Sequence, residues 1–123
     1  MKQSYRIAIV DDDEGVRQSL SSLVRSLGHE VRTYASAAAF LAQNGGDPDC
    51  LLTDVQMPHM SGEQLQAALL ARGATYPMLF MTAFPTDGLR ERLMARGARA
   101  FLVKPVEGET MSRCLAQALH ASG

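Results

Sequence analysis

The stretch from Tyr5 to Gly28 reads YRIAIVDDDEGVRQSLSSLVRSLG. YRIAIV has the length and apolar character of a buried strand. Val16, Leu20, Leu23, Val24 and Leu27 then recur at helical spacing, until Gly28 supplies a stop just past the helix end. Between strand and helix stand four acidic residues, Asp11, Asp12, Asp13 and Glu14. Asp13 or Glu14 suits the start of the helix. The others crowd like charge at a strand end, and they need a partner.

The same strand-then-helix unit recurs along the chain. EVRTY alternates as an edge strand would, and Ser36 can cap a short helix carrying Phe40 and Leu41 that ends near Asn44-Gly45-Gly46. CLLT is a third strand, followed by a helix marked by Leu65, Ala68 and Leu69 and stopped around Gly73. MLFM is a fourth, with Leu89, Leu93 and Met94 marking a helix that ends at Gly97. AFLV is a fifth, and Met111, Cys114, Leu115, Ala118 and Leu119 mark the last helix. Strands alternating with helices predict an α/β fold with a doubly wound, five-stranded parallel sheet covered on both faces by five helices.

Composition narrows the class. The 123 residues suit one domain, 1–123, without an internal linker. A net charge of −1 gives no general attraction to nucleic acid or anionic lipid. No apolar run approaches the roughly 18 residues of a membrane span, and MKQSYR leads into a strand rather than a secretory core, so a cytoplasmic location is expected. Cys50 and Cys114 lack metal spacing and read as reduced core thiols. His29, His59 and His120 are dispersed and read as exposed, which argues against a phosphohistidine relay within the chain.

In doubly wound folds ligands sit beyond the carboxyl ends of the strands. Asp11 and Asp12 follow the first strand, Asp54 the third, Thr82 the fourth and Lys104 the fifth. Singly, each has an ordinary explanation as a turn former, cap or loop residue. Jointly, the fold predicts one location for all. Two unit charges about 4 Å apart repel by roughly 4 kcal/mol at an effective dielectric of 20. Three carboxylates therefore call for a raised pKa or a cation. Oxygen ligands without His or Cys point to a hard ion, Mg²⁺ (or Mn²⁺), with waters and a phosphate completing its shell. The set makes chemical sense as an aspartate that becomes phosphorylated beside a metal.

Taken together, IVDDD, LLTDVQMPHMSG, MTA and LVKP resemble the motifs of the receiver domains of bacterial two-component response regulators, CheY-like in type and FixJ-like in flavour. The resemblance spans essentially the whole chain and implies strand order 2-1-3-4-5. It implies that Asp54 is the phosphoacceptor for a sensor histidine kinase. It implies Mg²⁺ ligation by Asp12, Asp54 and the main-chain carbonyl of Gln56, with Asp11 acting mainly through water. Thr82 would bond the phosphoryl group, Lys104 would pair with it, and the Lys104–Pro105 peptide would be cis. Phe101 occupies the place of an aromatic that turns inward on activation, though a plain core Phe fits equally. The surface from Leu89 through the last helix would be read by partners, including a second receiver, to control an output such as transcription. Any C-terminal output domain would lie outside this chain.

Two positions depart from the general pattern. Gln56 and Phe84 stand two residues after Asp54 and Thr82, where the family controls water access to the phosphate. Phe84 could lie over that approach or point outward as partner surface. Met57 and Met60 could form a recognition patch or pack the loop around Pro58. A haloacid-dehalogenase-type phosphatase also uses an aspartyl phosphate, but Asp54-Val55-Gln56 lacks the second Asp of D-x-D. Neither a GxGxxG nor a P-loop follows a strand, and no basic cluster suggests direct DNA binding. A phosphorylated switch, not an enzyme of multiple turnover, is the expectation.

Overall fold

Five apolar runs pair side by side as the alternation predicts. The computed structural model describes residues 4–122. Its elements are β1 (Arg6–Val10), α1 (Glu14–Ser26), β2 (Glu30–Tyr34), α2 (Ala37–Ala42), β3 (Cys50–Asp54), α3 (Gly62–Ala71), β4 (Met78–Thr82), α4 (Asp87–Ala95), β5 (Ala100–Val103) and α5 (Gly108–Ser122). The strands form one parallel sheet in the order β2-β1-β3-β4-β5. Every residue of β3 and of β4 is buried, because helices cover both sides of the central strands.

Alternate residues of each strand serve opposite faces, and so the core divides in two. Ile7, Ile9, Cys50, Leu52, Leu79, Met81 and Leu102 pack under α1 and α5. Ala8, Val10, Leu51, Phe80 and Met78 pack under α2, α3 and α4. Full burial of one such aliphatic side chain contributes roughly 1.5–3 kcal/mol.

Local chemistry fixes the helix ends. Asp13 caps α1 by accepting the Val16 N–H at 3.0 Å, Ser36 caps α2, and Thr86 caps α4. Ser61 and Gln64 bond reciprocally as a capping box at the start of α3. Gly28, Gly73 and Gly97 take positive φ where their helices stop, a conformation that costs a side-chain-bearing residue more. The Lys104–Pro105 peptide is cis, in agreement with the sequence expectation.

Some expectations need correction. His29 is not exposed: it is half-buried against the Tyr5 ring, and its Nδ1 accepts the Tyr5 N–H at 3.2 Å. Cys50 is fully buried, and that burial pushes its thiol up to about 12, but Cys114 only packs against the margin of the core. Met94 is exposed, on the outer side of α4. No helix among the described residues is long and apolar enough to cross a membrane.

Asp13→Ala should lower the folding stability by about 1 kcal/mol through loss of the α1 cap. Denaturant unfolding would measure this, and an unchanged midpoint would assign Asp13 no capping role.

Candidate functional site

Strand register decides which polar residues meet. Val10 pairs with Thr53, so Asp11 stands level with Asp54 on the neighbouring strand. Both follow the parity of Ile9 and Leu52 and emerge on the α1/α5 side of the sheet. Lys104, two residues past Leu102, shares that side. Its Nζ lies 2.8 Å from Asp11 Oδ2 and 3.2 Å from Asp54 Oδ2. The ammonium thus bridges two carboxylates that would otherwise repel.

Asp11 is fully buried, and its Oδ1 accepts the Asp13 N–H at 2.9 Å. Asp54 is only 5 % exposed, and its Oδ1 accepts the Val55 N–H at 2.8 Å. Burial, followed by the charge of Asp11, holds the Asp54 carboxyl above its usual range despite the opposing pull of Lys104. For Lys104, burial pushes the ammonium down. The hydrogen bond to Asp11 and the charges of Asp54 and Asp11 outweigh this and hold it up. Asp12 faces solvent. One oxygen from each of Asp11, Asp12 and Asp54 lies within 4.8 Å of the others, so the cluster is able to hold a metal ion. An all-oxygen donor set with one solvent-facing carboxylate suits a hard cation that keeps some of its water.

Thr82 behaves differently. It lies one residue past Met81, the partner of Asp54, and so emerges on the opposite side of the sheet. Its buried hydroxyl donates to Gln56 Oε1 at 2.5 Å and accepts the Phe84 N–H at 2.9 Å. The strand ends therefore bring Asp11, Asp12, Asp54 and Lys104 together at once, while Thr82 stands beside Gln56. Phe101 is half-buried against the α2/α3/α4 side of the core. Met57 and Met60 pack against that same core, which favours the loop-packing role over a free patch. Phe84 is 72 % exposed, lining a groove with Met57, Pro58 and Leu89. That exposure favours the outward role over a shield on Asp54.

Gly62 is the residue that motif reading passed over. A Cβ there would lie 2.3 Å from the Asp54 carbonyl oxygen and 2.9 Å from the Val55 Cα, both backbone atoms. Its N–H donates to the Val55 carbonyl at 2.8 Å. The first turn of α3 thus rests directly on the end of β3, and only glycine fits. The glycine at the end of MPHMSG was visible in the sequence, but the contact that requires it is not local.

Comparison with known proteins agrees with this geometry. The chain matches the response regulator receiver domain family over residues 7–116. It is 42% identical over 108 residues to the transcriptional regulatory protein FixJ of Azorhizobium caulinodans, covering 87% of this chain and 51% of that protein. It is 39% identical over 118 residues to the response regulator protein TmoT of Ectopseudomonas mendocina, covering 95% and 54%. The chain thus spans about half the length of these curated relatives. Among solved structures, chemotaxis protein CheY4 of Vibrio cholerae superimposes with a TM-score of 0.86 at 30% identity, covering 93% of this chain and 98% of that one.

Two measurements probe the site. Gly62→Ala should cost about 1–3 kcal/mol by overpacking against backbone and should shift the NMR signals of Asp54 and Val55; an unperturbed variant would contradict the contact. Because the Asp54 pKa is raised, the folded chain binds this proton more tightly than the unfolded chain does. Stability therefore falls as pH rises from the ordinary aspartate range through the raised value. Asp54→Asn should be more stable than the unaltered chain at neutral pH without divalent ions, and the gap should close in acid. A gap that is constant with pH would contradict the shift.

Proposed function

Since the chain belongs to the response regulator receiver domain family, we propose that it is a phosphorylation switch in which Asp54 accepts a phosphoryl group from a sensor histidine kinase. The single observation that carries this is the buried Asp54 carboxylate, flanked by Asp11 and bridged to it by Lys104. One carboxylate oxygen attacks phosphorus, the P–N bond to the kinase histidine breaks, and the imidazole leaves with the electron pair and takes up a proton. Asp12, Asp54 and the Gln56 carbonyl would hold Mg²⁺, with Asp11 acting mainly through water. The ion would neutralise charge on the phosphoryl oxygens during transfer. Lys104, already beside Asp54, pairs with the phosphoryl group once formed and links it to the end of β5.

The phosphoryl group adds up to about one further negative charge and strong acceptor oxygens. Thr82 turns from Gln56 to bond it, and the loop from Ala83 to Thr86 follows. Phe101 and the α4–β5–α5 surface then change what they present to a partner, a second receiver copy or an attached effector. Val103, half exposed on β5, belongs to that surface. The output, for which the transcriptional regulatory protein FixJ suggests transcription, acts through another domain or protein, without direct nucleic-acid binding by this chain. The site is a phosphoacceptor rather than a turnover enzyme, and it operates in the cytoplasm.

Incubation with acetyl phosphate and Mg²⁺ should add one acid-stable, base-labile phosphoryl group, absent in Asp54→Asn. Lys104→Ala should still be labelled to some extent but should lose the phosphorylation-dependent shifts around Phe101. Undiminished labelling of Asp54→Asn would refute the assignment.

A further inference from the structure

The hydroxyl of Thr82 has one proton to give and two lone pairs. One lone pair takes the Phe84 N–H at 2.9 Å. That neighbour is itself a donor, so the proton goes to Gln56 Oε1 at 2.5 Å. Thr82 is fully buried, so a hydroxyl that leaves Gln56 requires another acceptor. Gln56 is exposed, and its amide loses little when released to solvent.

From this asymmetry we propose that the Gln56 side chain is a positioning residue that holds Thr82 in the resting orientation by occupying the one hydroxyl proton a phosphoryl oxygen on Asp54 would need. The proposal rests on the reading of Asp54 as phosphoacceptor. It assigns a role to the Gln56 side chain distinct from that of its main-chain carbonyl.

The competition is uneven in the useful direction. A charged phosphoryl oxygen accepts a hydrogen bond roughly twice as strongly as a neutral amide oxygen does. The latch therefore yields to phosphorylation and biases the switch without blocking it. Its release also reaches α4, because the Phe84 N–H is bonded to the same hydroxyl oxygen and Thr86 caps that helix. Gln56 thus sets how readily the β4–α4 loop responds, and other side chains two residues past the phosphoacceptor would set a different threshold.

Beryllofluoride with Mg²⁺, a phosphoryl mimic, titrated while the Phe84 amide is followed by NMR, gives the test. Gln56→Leu should lower the half-saturating concentration roughly two- to tenfold, the value of one neutral hydrogen bond. In a Thr82→Ala background the same substitution should make no difference, a result that a merely structural role for Gln56 would not give. In the resting protein the Thr82 hydroxyl proton should be protected from solvent exchange, less so in Gln56→Leu, and protected again in Gln56→Glu, which retains an acceptor. Unchanged half-saturation, an equal shift in the Thr82→Ala background, or hydroxyl protection surviving Gln56→Leu would overturn the latch while leaving Asp54 in place. Failure of the unaltered chain to take up beryllofluoride would instead overturn the Asp54 reading, and the latch with it.

Discussion

Like charge gathered at a buried strand end sets the terms for the whole molecule. Asp11 and Asp54 stand level on adjacent strands, almost without solvent, and among the described residues Lys104 is the cation that reaches both. Removing water strengthens repulsion and attraction alike. The site is therefore under a standing electrostatic load that a metal ion or a proton can relieve. Lys104 is the chain's own answer, arriving from the fifth strand to serve residues of the first and third. Its position depends on the parallel ladder that aligns those strand ends, so the chemistry depends on the register.

The register explains what the sequence could and could not disclose. Apolar runs broken by Gly28, Gly73 and Gly97 made the strand and helix order legible, because those signals are local. The acidic residues behind the first and third strands were legible for the same reason. The side of the sheet taken by Thr82 was not, since it follows from the pairing of Asp54 with Met81 rather than Thr82. Nor could the Tyr5–His29 bond or the seat of Gly62 on β3 be read, as each joins residues well separated along the chain. Phe84 was singled out by its type, but its exposure depends on packing that the loop sequence does not encode.

Helices α3 and α4 are joined by more than apolar contact. Glu63 receives two hydrogen bonds from Arg92, at 2.7 and 3.2 Å, and a third from Arg96, and these hold its carboxyl below the usual range. Arg92 is largely exposed, so solvent screens this pairing and its contribution to stability is modest. Deeper in, the Gln66 side chain donates to the Leu93 carbonyl at 3.1 Å, while its own Oε1 is buried with no hydrogen-bond partner among the described residues. That combination anchors α4 at its C-terminal end but leaves the anchor incompletely satisfied. The N-terminal end of the same helix, near Thr86, is the end tied to Thr82 through Phe84.

The alternation of strand side chains between two faces also separates two groups of polar contacts. Asp11, Asp54 and Lys104 follow the strand parity of the α1/α5 side, whereas Thr82, hydrogen-bonded to Gln56, follows that of the other. The sheet acts as a partition, so a substitution around Thr82 and Gln56 can alter the packing toward α4 while the ion pairs of Lys104 with Asp11 and Asp54 stay in place. Only residues at the rim, where the two sides meet above the strand ends, must change in concert.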